Sequence, residues 1–193
     1  MARPAVVFVK TVIIITVLGS ISACRSSSSQ QTTQQRPNQR QSQQNTFDTY
    51  LNSDIPPADG FDFAVGDANG RGSYQDPATG TQYSGWYIAT QFNETYSLGI
   101  HTGEDWNGAG GGNTDLGQDV HAIANGRVTF AQNCGRLLGN VIMIEHLYYE
   151  NHEVNKVISL YAHLREIKIS AREKVKRRQV IATIGQDPDK TFQ

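Results

Sequence analysis

Asp119-Val120-His121-Ala122-Ile123-Ala124-Asn125-Gly126-Arg127-Val128-Thr129-Phe130-Ala131 is the stretch on which a reading of the fold turns. Two short runs rich in apolar and β-branched residues, 120–124 and 127–131, flank Asn125-Gly126, and both of those residues tolerate positive φ. The stretch therefore predicts a β-hairpin with a two-residue turn. Outward from it, residues 141–149 and 156–163 are longer β-like runs around the polar segment 150–155 and predict a second hairpin. Residues 86–92, 96–100 and 180–184 read as further strands. A weak helical period over 170–178 is so highly charged that a solvated turn and strand edge is the better reading. The connections are too short for crossovers, so the fold class is mainly β with antiparallel pairing.

The chain has 193 residues, 38% of them hydrophobic, with 18 glycines and a formal charge of −1. That balance lacks the basic face of a nucleic-acid binder, and the length suits one domain plus an extension. Residues 60–85 are dense in Gly, Asp, Asn and Pro and predict loop with local Asx turns. Asp67-Ala68-Asn69-Gly70 hints at a calcium loop but lacks the twelve-residue pattern and its terminal Glu.

The first residues carry Arg3 and Lys10, then a mostly apolar stretch over 11–23. About 13 apolar residues are too few for a permanent span, which needs roughly 20, and fit the core of a signal peptide. The stretch ends Ile21-Ser22-Ala23-Cys24, which resembles a bacterial lipobox. Residues 1–23 are thus read as a lipoprotein signal peptide and Cys24 as the lipidated new N-terminus of an exported protein. Acyl chains add ~0.8 kcal/mol of membrane affinity per buried CH2. Residues 24–57 are Ser- and Gln-rich, nearly devoid of large apolar residues up to 46, and predict a flexible tether. Pro56-Pro57 marks its end. If Cys24 is acylated, Cys134 is a lone thiol, expected to be buried and inert.

Chemistry is concentrated in Gly99-Ile100-His101-Thr102-Gly103-Glu104-Asp105-Trp106-Asn107-Gly108. It sets an imidazole four residues before a carboxylate, and both are zinc ligands at ~2.0–2.2 Å. Gly103 would let the backbone turn so that the two converge. By itself a His-x3-Asp pair is weak evidence. The following stretch, 108–112, is a Gly-rich rim without the Lys-Ser/Thr ending of a phosphate loop. A second element, Ser159-Leu160-Tyr161-Ala162-His163-Leu164, ends a strand on a histidine.

Together GIHTGEDWNG, DVHAIANGRVTFA, GNVIMIEH, ISLYAHL and VKRRQVIATIG follow the block order of the M23 zinc metallopeptidases, the lysostaphin-like cell-wall endopeptidases, and residues 61–193 resemble that family. The resemblance implies an open antiparallel sheet with a site in a groove across it, over a domain of residues 58–193. It implies His101 and Asp105 as zinc ligands and His163 as the active-site histidine that stabilises or shuttles protons. The implied substrates are the peptide stems and cross-bridges of peptidoglycan, cut with the help of a metal-activated water. Where the family places a His-x-His pair that supplies a third ligand and a second catalytic histidine, this sequence reads Gln186-Asp187-Pro188-Asp189-Lys190-Thr191-Phe192-Gln193. The expectation is therefore a domain truncated before its last strand, with zinc binding and activity impaired. The alternative is a non-catalytic lipoprotein that binds cell wall or activates another hydrolase. His121, His146 and His152 do not stand where the family has ligands. Arg172 and Arg178 stand where the family commonly has Gly, at a strain of about 1 kcal/mol each if positive φ is required.

Overall fold

The computed structural model describes residues 36–96 and 99–186. The signal-peptide and Cys24 expectations lie outside the described residues. Elements run α1 (Arg36–Leu51), β1 (Ser73–Gln75), β2 (Gln82–Ser84), β3 (Trp86–Thr90), β4 (Thr95–Tyr96), β5 (Gly99–Ile100) and β6 (Asp105–Gly108). They continue as β7 (Asp119–His121), β8 (Gly126–Asn133), β9 (Asn140–Glu150), β10 (Glu153–Ile167), β11 (Lys174–Val175) and β12 (Val180–Ile184). The mainly β, antiparallel class holds. Six strands form an open sheet in the order β11-β8-β9-β10-β12-β7, beside two-stranded sheets β1-β2, β3-β6 and β4-β5.

The second hairpin forms as expected, with a tighter loop. Glu150 pairs with Glu153, and the two residues between them, Asn151 and His152, take φ of 52° and 66°. Two consecutive positive φ values give a turn whose twist matches that of the strands. Ile142 and Ile144 on β9 alternate onto one face and are fully buried with Val120, Val128, Tyr161, Ile181 and Ala182. Val141 on the opposite face packs with Ala162, Phe130, Leu138, Met143 and Leu160. β9 thus carries apolar residues on both sides, as a central strand must.

The hairpin at Asn125-Gly126 does not form. β7 pairs with β12 at one edge of the sheet, whereas β8 pairs with β9 and β11 on the other side of it. Neither Asn125 nor Gly126 has a positive φ. The pair serves a long connection instead. Asn125 donates its amide to the Pro57 carbonyl at 2.9 Å and accepts from the Arg177 N–H at 2.8 Å. A Cβ on Gly126 would lie 2.5 Å from the Glu145 carbonyl and 2.7 Å from His146 Nδ1, so only Gly lets the start of β8 run this close to β9.

Other expectations shift by a few residues. The strand read over 96–100 is two two-residue strands, β4 and β5, that pair with each other. Residues 60–85 hold the β1-β2 hairpin, and the stretch read as turn and rim holds β6, paired with β3. The segment read as a featureless tether contains α1, whose Phe47 and Tyr50 meet Tyr149 at ring centroids of 5.0 and 5.9 Å. Three aromatic rings give that helix an anchor its polar composition conceals. Asp67 is the Asx turn expected, its carboxylate accepting from the Asn69 and Arg71 N–H groups at 2.8 and 2.9 Å. Cys134 is exposed rather than buried. It sits in the turn after β8, where its N–H reaches the Gly139 carbonyl at 2.7 Å and its side chain has no core to enter.

Candidate metal centre

His101 and Asp105 are brought together. The His101 backbone is clamped by the turn before β4: its N–H donates to the Glu94 carbonyl and its carbonyl accepts from the Asn93 N–H, both at 2.8 Å. Asp105 opens β6, held opposite Thr90 of β3. Imidazole Nε2 then stands 3.1 Å from Asp105 Oδ1, with the two side chains 8% and 13% exposed. Gly103 takes no positive φ. Its contribution is a carbonyl 2.7 Å from His101 Nδ1.

That carbonyl decides the chemistry. It can only accept, so Nδ1 carries the hydrogen, and in neutral imidazole Nε2 then presents a lone pair. Two electron-rich atoms facing each other at 3.1 Å in a mostly buried site require a proton or a cation between them. Bond lengths of ~2.0–2.1 Å in a tetrahedral site put neighbouring ligand atoms ~3.3 Å apart, so the pair fits zinc. An Nδ1–H to carbonyl bond of this kind is the outer contact that commonly fixes the tautomer of metal-binding histidines. Among the described residues, no group of three or more His, Cys, Asp and Glu side chains is placed to hold a metal.

The glycine-rich stretch beyond β6 is tied down. The Gly108 N–H donates to fully buried Asp115 at 2.9 Å, and the Gly110 N–H donates to Tyr74 Oη at 2.9 Å. A Cβ on Gly108 would collide with the Tyr74 ring. Asn107 is fully buried, its amide donating to Tyr87 Oη at 3.2 Å. Asp115 and Tyr74 escaped the sequence reading because no local pattern marks the backbone groups they hold, Gly108 seven residues from Asp115 and Gly110 36 residues from Tyr74.

His163 lies on β10, half-buried, at φ 53°. The register of β10 against β9 slips between Tyr161 and Leu164. His163 N–H donates to the Leu138 carbonyl at 2.8 Å, and its carbonyl accepts from the Gly185 N–H at 3.0 Å. A bulge with a left-handed residue re-aims that one side chain out of the alternation of its strand. A Cβ on Gly185 would overlap the His163 carbonyl, so the Gly seals this crossing.

His146 and His121 are structural. His146 is fully buried, with Nδ1 2.9 Å from the Asn125 carbonyl and Nε2 2.8 Å from Ser159 Oγ. Ser159 Oγ is 3.1 Å from Tyr161 Oη, which also accepts from the Ile123 N–H at 3.1 Å. The Ser159 hydroxyl donates to Tyr161 Oη, which thus accepts from both Ser159 and the Ile123 N–H. Burial holds the His146 pKa below its ordinary 6.5 and pushes the Tyr161 hydroxyl up to about 12. His121 is half-buried, Nδ1 3.3 Å from the Ala64 carbonyl, and burial followed by the nearby Arg178 charge lowers its pKa. His152 is exposed in the β9-β10 turn.

Residues 99–192 match the family model described as Peptidase family M23. Over 69 residues the chain is 38% identical to "Lipoprotein NlpD" of Yersinia enterocolitica, an alignment that takes in 36% of this chain and 64% of that relative. The chain thus spans less than two thirds of the length of the curated relative it matches. No solved structure matches it. The matched region begins at β5 and takes in His101, Asp105, His163 and every strand from β6 to β12, and over that region the chain is similar to peptidase family M23.

Proposed function

We propose that this chain carries a peptidoglycan-directed zinc metallopeptidase domain, set on a membrane through acylated Cys24. The observation that carries the reading is the 3.1 Å approach of His101 Nε2 to Asp105 Oδ1 with Nδ1 already committed to Gly103. Zinc bound there would polarise a scissile carbonyl and lower the pKa of a bound water. The work of the chain's own residues is to present the donors. The Gly103 carbonyl holds the His101 tautomer, and β3 holds Asp105 in register. His163, turned out of its strand by the bulge, is the residue to move a proton at the reacting amide. Peptide stems and cross-bridges of peptidoglycan are the substrates this reading assigns, and the exported, membrane-anchored location follows from residues 1–24.

A second reading has a specific observation behind it. Among the described residues two ligands gather, not three, and three protein ligands are usual for catalytic zinc. On that reading the domain is a non-catalytic lipoprotein module that binds cell wall or activates another hydrolase.

Two measurements on the full chain separate the readings. Zinc titration by calorimetry, repeated on His101→Ala and Asp105→Ala, tests the pair: binding present in the parent and lost in both variants supports it, and binding unaffected by either defeats it. Solubilisation of purified sacculi, dependent on zinc and on His163, is the enzyme result. Co-sedimentation with sacculi without solubilisation is the binding-module result.

A further inference from the structure

A concave site lies where α1 meets the tip of the β9-β10 hairpin. The cavity, about 470 Å³, is lined by Gln43, Gln44 and Phe47 of the helix and by Tyr149 and His152 of the hairpin. We infer that this cavity is a binding site for a neutral saccharide, with the Tyr149 and Phe47 rings as the stacking surface and the Gln43 and Gln44 amides as the hydrogen-bonding rim.

The chemistry of the lining carries the inference. Two aromatic rings 5.0 Å apart and 63° inclined make a corner with apolar walls, suited to the C–H face of a sugar ring. Planar amides that both donate and accept match vicinal hydroxyls. The Gln44 amide nitrogen is already steered by a 3.0 Å bond to Asp48, which leaves its carbonyl oxygen to accept. His152 is fixed at the lip by the positive-φ turn. Among the described side chains no Lys or Arg lines the cavity, and the Asp48 carboxylate stands beside Gln44. An anionic ligand would meet the like charge of Asp48 there. A pocket of aromatics with a few converging polar groups is the ordinary form of a small-molecule site. Neither the zinc pair nor His163 takes part, so the inference stands apart from the proposed hydrolysis. In a cell-wall protein it would add a hold on the glycan to the hold on the peptide.

The test is an amide NMR titration of the full chain with chitotriose and with maltotriose, neither of which contains a peptide bond. Saturable shifts confined to residues 43–47 and 149–153 with either sugar support the site. Gln43→Ala, on an exposed helix face, should weaken binding by about ten-fold, and Tyr149→Ala by at least as much. His101→Ala should leave it unchanged. Shifts absent with both sugars, shifts scattered over the surface, or binding indifferent to Gln43→Ala would overturn the inference. Saturable shifts at these residues with inorganic phosphate instead would do the same. Failure of zinc binding or of hydrolysis leaves this result untouched, so the two proposals fall separately.

Discussion

His101 and Asp105 meet at 3.1 Å, Nε2 to Oδ1, while the Gly103 carbonyl takes the only hydrogen a neutral His101 has to give. The pair is thereby set as two donors with nothing but a cation or a proton to join them. Asp105→Asn keeps the shape of the side chain and removes its charge. Zinc affinity should fall by about 100-fold or more, given that even outer contacts of a metal ligand are worth ~10–100-fold. Circular dichroism should be unchanged. Equal zinc affinity in parent and variant would remove Asp105 from the site.

Stability should rise with pH on the acid side of neutrality. His146 and His121 both have folded pKa values lowered from 6.5, first by burial. The unfolded chain therefore binds more protons between those lowered values and 6.5. Their contribution is complete above pH 6.5 and is lost as pH falls toward the folded values, with a slope of up to ~1.4 kcal/mol per pH unit for each histidine. Urea midpoints between pH 4.5 and 7.5 measure it, and His146→Phe should flatten the curve. A profile in that window that is level, or falls with pH, contradicts the assignment.

Gly126→Ala tests the close approach of β8 to β9. The added methyl would meet the Glu145 carbonyl and His146 Nδ1 inside van der Waals contact, and backbone cannot swing aside as a side-chain tip can. A loss of roughly 2–3 kcal/mol is expected. Under the hairpin reading of Asn125-Gly126, Ala would strain only the turn and cost about 1 kcal/mol. Chemical denaturation distinguishes the two.

Arg172 and Arg178 sit at φ 74° and 65°, and their fates on substitution should differ. Arg172→Gly relieves a left-handed backbone that costs about 1–2 kcal/mol, partly offset by the entropy of Gly, and should leave stability level or raise it by up to ~1 kcal/mol. Arg178 spans from the strand edge to the loop over 63–67, donating to the Phe63 carbonyl at 2.7 Å and also to the carbonyls of Gly66 and Asp67. Arg178→Gly should therefore destabilise by about 1–3 kcal/mol, since hydrogen bonds from a charged donor are lost. Thermal unfolding should show Arg178→Gly melting below the parent and Arg172→Gly at or above it.

Composition and alternation in the sequence determined the β class, the antiparallel pairing and the β9-β10 hairpin, because those depend on side chains near one another along the chain. The blocks around His101, Asp105 and His163 were legible for the same reason: a short spacing within one strand end survives any arrangement of the rest. The strain at Arg172 and Arg178 was legible only through the resemblance, since the family commonly has Gly where these two residues take positive φ. Tertiary structure alone decided the rest. Asn125-Gly126 has every local mark of a hairpin, yet β7 joins β12 and β8 joins β9, because burying both faces of β9 outweighs a turn preference of about a kcal/mol. The helix in the Gln-rich segment exists beside Tyr149, some hundred residues away in sequence. Gly103 was read as a hinge and is instead the acceptor that sets the His101 tautomer, a role fixed by a carbonyl's direction in space, which no sequence pattern encodes.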